Sequence, residues 1–338
     1  MSDTVVQYQL SAPKGEFTQV AVPRPVPGPN EVSVRTKAIA LNPFDWKQLA
    51  TGVVVSSWPA VIGNDAAGVI ESVGDEVKDF QPGDEVLLVC GRTNRSAAFQ
   101  EVITVSTRAV AKKPSYLTFA EAASLSACYV TSTAAIVLGL NVALPHLSSQ
   151  ASSPLKSVLV LGGSSVVGAG AIQLLRQALP DATILATSSA QHHDHLLSLG
   201  ATKCFERSVQ DTPSEILAAT PDGAGLDAIL DAVGAAAVQP AIFAALAPGG
   251  PKLYSQVATG ATVPIPEGVA ARLVYGPEMV ARPEGGRLIP SLGELLEAGK
   301  YRLPARVEVI GKGLDAIEPG IHRLQQGVSG SKLVVSLE

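Results

Sequence analysis

Short apolar runs, broken every few residues by glycine and proline, fill the first third of the chain. They fall at Gln19–Val22, Glu31–Ala40, Val61–Val73, Glu85–Val89 and Gln100–Val105. This pattern predicts an irregular β domain of barrel type over residues 1–125. From about Thr131 strands alternate with helical segments, which predicts a parallel sheet wound right-handedly over residues 126–270. Its first strand, Ser157-Val158-Leu159-Val160-Leu161, is the kind of run that a strand buried on both faces requires. A helix is predicted at Ala169–Leu179 and further strands at Thr183–Ala186, Cys204–Phe205, Leu226–Leu230 and Lys252–Val257. Residues 271–338 return to mixed turns and strands, and Ser331–Leu337 reads as a strand that rejoins the first domain. Asn141–Lys156 lacks apolar periodicity and reads as an exposed loop.

The turn after the first parallel strand carries the first candidate chemistry. Gly162, Gly163, Ser164, Ser165, Val166, Val167 and Gly168 form a tight strand-to-helix turn with serine at its middle position. Free N–H groups and the positive end of the helix dipole suit a pyrophosphate there. The competing reading is a plain structural crossover. After the next strand, where a dinucleotide fold meets the adenosine ribose, stand Ser188, Ser189 and His192, with no carboxylate before Asp194. Donors without an acidic residue favour NADPH over NADH, and Arg207, after the third strand, is the candidate positive charge.

Composition narrows the class. A chain of 338 residues, 46% hydrophobic, buries a sizeable core in two domains. A net charge of −5 gives no general attraction to nucleic acid or anionic membranes. The N-terminus has no basic-plus-apolar signal, no uncharged apolar run is read as long enough to span a bilayer, and the expected location is the cytoplasm. Cys90, Cys128 and Cys204 are far apart, so neither a disulfide framework nor a zinc lobe is expected.

Several blocks together resemble the medium-chain dehydrogenases/reductases, in their zinc-independent quinone-oxidoreductase-like branch. They are Ala40-Leu41-Asn42-Pro43-Phe44-Asp45-Trp46-Lys47, Val61 to Ile70 around Gly63-Asn64-Asp65, Gln81-Pro82-Gly83-Asp84, the Gly162–Gly168 turn, Ala247-Pro248-Gly249-Gly250, and Gly330-Ser331-Lys332-Leu333-Val334. Asn-Pro-x-Asp-Trp-Lys and the Gly-Gly-Ser-Ser turn are also similar to fungal reductases of this branch, including trans-acting enoyl reductases that serve polyketide synthases. The resemblance implies a Rossmann doubly wound parallel sheet inserted in a discontinuous GroES-like β-barrel catalytic domain. Zinc-using relatives need a Cys in the first block and Gly-His-Glu in the second; here Asn42 and Gly63-Asn64-Asp65 stand instead, and no metal is expected. Without a Lewis acid, hydride addition to an activated alkene is favoured, because the resulting enolate needs only hydrogen-bond donors and a proton.

The candidate catalytic residues are Lys47, Asn42 and Asp45. Lys47 aligns where many relatives carry a tyrosine near the nicotinamide, and is assigned to NADPH positioning or enolate stabilisation, with proton delivery if burial lowers its pKa. Asn42 is assigned a hydrogen bond to cofactor or substrate, and Asp45 an orienting role. The competing reading is an Asx turn followed by a solvated lysine. Thr131, Ser132 and Thr133 are candidate substrate-binding residues, or equally a helix cap and first turn. His192, His193, Asp194 and His195 look like metal ligands but point apart on a helix, and Asp231 reads as an end-of-strand carboxylate that shapes the cofactor crevice. Three functions remain: an NADPH-dependent reductase of a small enone or quinone, a trans-acting enoyl reductase docking on a polyketide synthase carrier domain, and an NADP-binding protein without redox turnover. A monomer with a wide apolar cleft suits the second and a homodimer with a narrow one the first.

Overall fold

The structure is a computed structural model that describes residues 3–148 and 155–338. The chain forms two compact units. One holds the chain up to Ala127 with Gly286–Glu297 and Arg306–Glu338; the other holds Cys128–Gly285 with Ala298–Ala305.

The first unit opens with β1 (Thr4–Leu10), β2 (Phe17–Pro23), β3 (Glu31–Ala40), β4 (Ala60–Val61), β5 (Asp65–Val73), β6 (Glu85–Val89), β7 (Val102–Ser106) and β8 (Val110–Lys112). β1 lies between β2 and β4 in a small antiparallel sheet. β3 pairs antiparallel with both β5 and β7, and its register against β5 shifts twice, at Ser33/Val34 and Thr36/Ala38. Such bulges bend and twist a strand, which an irregular barrel needs. Gly68 sits where the two strands come closest, since a Cβ there would lie 2.0 Å from the Arg35 carbonyl oxygen. The inward faces bury Leu10, Val34, Ile39, Leu41, Ile62 and Phe99 in one core.

β1 escapes the hydrophobic pattern because the face opposite Tyr8 and Leu10 is buried too and carries glutamines. Gln7 and Gln9 are buried and satisfied by one another and by Gln100, with Gln9 Nε2 donating to Gln7 Oε1 (2.8 Å) and Gln7 Nε2 to Gln100 Oε1 (2.9 Å). The strand expected over Val61–Val73 is two strands. Gly63, at φ +100°, turns the chain between them and so places Asn64 and Asp65 at the mouth of β5.

The second unit holds β9 (Ser157–Leu161), β10 (Thr183–Thr187), β11 (Lys203–Phe205), β12 (Ala228–Asp231), β13 (Leu253–Val257) and β14 (Ala270–Val274). They form one sheet in the order β11-β10-β9-β12-β13-β14, parallel throughout. That is the doubly wound order of a dinucleotide-binding sheet, with the crevice beside β9 where the winding reverses. The boundary expected at residue 270 falls inside β14, whose first four residues are exposed and carry no burial signal. Residues 271–285 and 298–305 therefore belong to the sheet unit, not to the returning tail. After them β15 (Arg306–Lys312) and β16 (Ser331–Ser336) rejoin the first unit, β16 pairing antiparallel with β3 and parallel with β15.

Two further expectations change. In the segment expected as an exposed loop, Val142 and Leu144 are buried, while residues 149–154 of it lie outside the described residues. The helical stretch Phe119–Gly139 has the length and apolar composition to cross a bilayer, contrary to the sequence reading, but 78% of its most apolar window is buried inside the protein, as in a core helix.

Asp231 ends β12 and is fully buried. Its Oδ1 accepts the N–H groups of Val233, Gly234 and Ala235 (3.1, 2.7 and 3.0 Å), and its Oδ2 accepts Ala236 N–H (3.0 Å) and the Tyr254 hydroxyl (2.9 Å). One carboxylate thus replaces water for five donors. Asp231→Ala should cost at least about 3 kcal/mol, because each abandoned buried donor forfeits ~1–3 kcal/mol. Urea unfolding measures it, and a loss below about 1 kcal/mol would remove this anchoring role.

Candidate active site

The helix Pro43–Thr51 starts from Asn42, with Pro43 at its first position, where a missing N–H costs nothing. Asp45 reaches back from the first turn, its Oδ2 accepting the Asn42 N–H at 2.7 Å while its Oδ1 accepts Nδ2 of Asn64 at 2.9 Å. Asp45 is wholly buried, and that burial pushes its carboxyl from the ordinary 3.8 up to about 7, against the opposing hydrogen bonds of Asn42 and Asn64 and the charge of Lys332.

With Asp45 serving as the cap, the Asn42 side chain turns elsewhere. Its Nδ2 donates to Asp65 Oδ2 (2.9 Å), and its Oδ1 accepts from Lys332 Nζ (2.6 Å). Lys332 Nζ also lies 3.2 Å from Asp65 Oδ2, and Asp65 Oδ1 accepts Ala127 N–H at 2.6 Å. Lys332 and Asp65 are 4% and 0% exposed, so the pair is sealed from water. Burial, then the charges of Asp65 and Asp45, push the nearby Cys90 thiol well up, keeping it protonated. Asn42 Oδ1 and both Asp65 oxygens are thus already engaged. Among the described residues no three His, Cys, Asp or Glu side chains gather where they could hold a metal ion.

Sequence reasoning did not assign Lys332 to the site, though one signal pointed to it: a charged residue at a buried position in an otherwise apolar final strand. Lys47 is half-buried on the same helix as Asp45, with its ammonium 5.7 Å from the Trp46 ring centroid and its pKa lowered by desolvation. Beside this helix opens a cleft of about 240 Å³, lined among others by Gln48, Val55, Ser57, Asn64, Arg92 and Thr93.

In the second unit the Gly162–Gly168 turn closes on itself. Gly163 N–H bonds to the Thr187 carbonyl (2.9 Å), and Gly162 takes φ +72° with no room for a Cβ beside Val233. Ser165, at the middle position, caps the helix Val166–Ala178: its Oγ accepts Gly168 N–H (3.0 Å) and donates to the Gly162 carbonyl (2.8 Å). The helix starts three residues before the expected Ala169. Among the described residues the N–H groups of Val166 and Val167 have no acceptor in the chain. Two free donors at the positive end of a helix fit a dinucleotide pyrophosphate. Ser164 is buried within the turn.

The ends of β10 and β11 bring Ser189, His192 and Arg207 into one neighbourhood, where burial, followed by the charges of Arg207, His195 and His193, lowers the pKa of His192. Ser188 is different: it is fully buried and its hydroxyl donates to the Ser189 carbonyl (3.2 Å), so it is not presented to a ligand. The carboxylate expected to be missing is supplied by the residue just after the neighbouring strand β11, as Glu206 Oε1 accepts Ala190 N–H at 3.0 Å. His195 is drawn away to the Pro304 carbonyl (2.9 Å).

Thr131, Ser132 and Thr133 lie on the helix Ser126–Ala134. Ser132 and Thr133 are fully buried, and the Ser132 hydroxyl bonds to the carbonyls of Cys128 (2.9 Å) and Val167 (2.7 Å), clamping this helix to the turn. Ser132 therefore serves packing and not a substrate pocket, Thr133 is sealed from solvent with its hydroxyl unbonded among the described residues, and Thr131 alone is half-buried.

Residues 28–115 match the alcohol dehydrogenase GroES-like domain and residues 166–269 the zinc-binding dehydrogenase domain. A trans-enoyl reductase of Aspergillus japonicus, himH, is 31% identical over 325 residues, which cover 91% of this chain and 90% of the relative. The chain belongs to the medium-chain dehydrogenase/reductase superfamily. As a member of that superfamily it is an oxidoreductase with a parallel-sheet domain and a GroES-like domain. The dehydrogenase orsE of Emericella nidulans is also 31% identical, over 93% of this chain and 94% of its own. Among solved structures, an alcohol dehydrogenase superfamily protein from Novosphingobium aromaticivorans shares the fold at a TM-score of 0.82 and 23% identity, covering 99% of this chain and 100% of its own. The CurK enoyl reductase shares it at a TM-score of 0.75 and 23% identity, covering 99% of each.

Two measurements test the buried network of this superfamily member. Lys332→Met strands Asp65 as a lone buried charge and should destabilise the chain by about 3–5 kcal/mol, while adding Asp65→Asn should recover much of that; a single-variant loss within about 0.5 kcal/mol of zero defeats the pairing. Asp45 sets a pH dependence. Its folded-state pKa of about 7 exceeds the ordinary 3.8, so folding favours the protonated form. Its stabilisation is full below about pH 4 and lost as pH rises through about 7. Compared with Asp45→Asn, the wild type should lose unfolding free energy between about pH 4 and about pH 7 and level off above that; a difference that stays constant across this window would mean that the carboxyl is not shifted by folding.

Proposed function

We propose that this oxidoreductase transfers hydride from NADPH to an activated C=C bond of an enone, quinone or enoyl thioester, without a metal, in the cytosol. One observation carries the reading: the cation closed onto Asn42 and Asp65 is the Lys332 ammonium. Amide oxygens and an ion-paired carboxylate are poor zinc donors, and the ammonium already fills the place between them. A site without a Lewis acid favours addition to an alkene, since the enolate spreads its charge where hydrogen-bond donors suffice. The relatives named trans-enoyl reductase support the same reaction class, with the substrate free or carried by a polyketide synthase.

A bound NADPH supplies the hydride. The N–H groups of Val166 and Val167 would hold its pyrophosphate, and Ser189, His192 and Arg207 would hold its 2′-phosphate, with Glu206 opposing them in part. Lys47, its ammonium made more acidic by burial, stabilises the enolate oxygen or returns a proton to the α-carbon. Asp45 and Asn42 do not react; they hold the helix that carries Lys47.

Turnover of an enone beside a saturated ketone, with NADPH and with NADH, tests the reading. The wild type should reduce the alkene only, prefer NADPH, and keep activity after exhaustive chelation. Arg207→Ala should weaken NADPH binding about tenfold or more and leave NADH binding unchanged. Lys47→Ala at saturating NADPH should lower turnover by about 10²–10³. Preference for the ketone would overturn the reaction class, and NADPH binding without any turnover would leave a nucleotide-binding protein.

A further inference from the structure

The cleft beside the Pro43 helix has features that hydride transfer does not use. Gln48 lies on that helix, is 4% exposed and lines the cleft, yet its Oε1 has no hydrogen-bond partner. An acceptor left without a donor in a buried place forfeits free energy unless something else supplies one. The terminal torsion of glutamine is broad and roughly two-fold, so a turn of the amide is the motion that would aim this acceptor into the cleft.

Arg92 also lines the cleft. It is exposed, and its guanidinium carbon sits 5.8 Å from the Phe44 ring centroid. Its neighbour Arg95 is paired with Glu31 at 2.9 Å, whereas among the described residues Arg92 has no carboxylate partner. An arginine steadied by a ring but left without a counter-ion is prepared for a carboxylate or phosphate, which its planar guanidinium grips through two parallel N–H groups. The volume of about 240 Å³ falls below the ~300–1,000 Å³ of whole-ligand pockets, so the cleft holds part of a molecule.

We propose that this cleft grips the non-reacting tail of the substrate, Gln48 accepting a hydrogen bond from an amide N–H or hydroxyl and Arg92 pairing with a phosphate or carboxylate. The tail is therefore polar and anionic, not a plain hydrocarbon. Two sources share that chemistry: the phosphopantetheine arm of a carrier-borne thioester, and a free acyl acid with an amide. The identity of the reacting end rests on the reductase reading above; the grip on the tail does not.

Calorimetry on the full chain without cofactor tests this, with 4′-phosphopantetheine, N-hexanoylglycine and uncharged pantetheine as probes. At least one anionic probe should bind about tenfold or more tightly than pantetheine. Phosphopantetheine as the better probe points to a carrier arm, and the acylglycine to a free acid. Arg92→Ala should remove the advantage of the anionic probes and spare pantetheine; being exposed, it leaves the core intact. Gln48→Met should weaken all three, and Gln48→Glu, which keeps the shape and adds a charge, should repel the anionic probes most. Unfolding temperatures check that both variants fold. Equal binding of charged and uncharged probes, or constants unchanged by Arg92→Ala, overturns the proposal. A chain that binds the probes and reduces no alkene loses the reductase reading alone; one that reduces an enone and ignores the probes loses the subsite alone.

Discussion

A lysine and an aspartate enclosed together, far apart in the chain, organise the first unit. Burying either charge alone would be prohibitive, so the fold must deliver both at once and satisfy what remains of their hydrogen-bonding capacity. Asp65 reaches the site because Gly63 turns the chain just before β5, and Lys332 because β16 returns to pair with β3. The last strand is thereby tied to the first domain by more than its ladder. The pair also claims both ends of the Asn42 amide, which leaves the helix start to be capped by Asp45. The position of Lys47 and Gln48 follows from that hand-over, since both ride on the helix so anchored.

The same network bears on the chemistry. A metal would bring a concentrated charge able to stabilise an alkoxide. Here the cation is a side chain, neutralised by Asp65 and screened from a substrate by its own hydrogen bonds. What is left for a reacting oxygen is donors of ordinary strength, such as the half-buried ammonium of Lys47. Such donors suit a delocalised enolate better than a localised alkoxide, which is the physical ground of the proposed reaction class.

The second unit relies on backbone donors. At the turn, Ser165 fills a position that would often be glycine, and it does so by capping the helix while leaving the Val166 and Val167 N–H groups free. Asp231, at the end of the adjacent strand, holds the neighbouring loop through four backbone N–H groups. At the adenosine end the balance is finer. The charge of Arg207 helps to lower the His192 pKa, while Glu206, adjacent in sequence to Arg207, caps the Ala190 N–H and sets a negative charge beside that arginine.

Much of the architecture was legible along the chain. The buried run Ser157–Leu161, the glycine-rich turn and the alternation after it determine a parallel doubly wound sheet, because a strand covered on both faces must be apolar at every position. The strands Glu31–Ala40 and Glu85–Val89 were readable end to end for the complementary reason, an apolar run bounded by turn residues. Legibility failed where burial and polarity part company. β1 hides behind its paired glutamines, and β14 has almost no buried residue to announce it. Ser132 offered a hydroxyl that the fold spends on clamping a helix to the glycine-rich turn. Lys332 left one trace in the sequence, a charge inside an apolar final strand, but its partners, like Glu206 and the cleft lined by Gln48 and Arg92, were decided by tertiary structure. Local sequence sets which backbone shape a segment prefers, but a buried charge, a capping carboxylate or an unmet amide acquires its role only from partners that folding brings across tens or hundreds of residues.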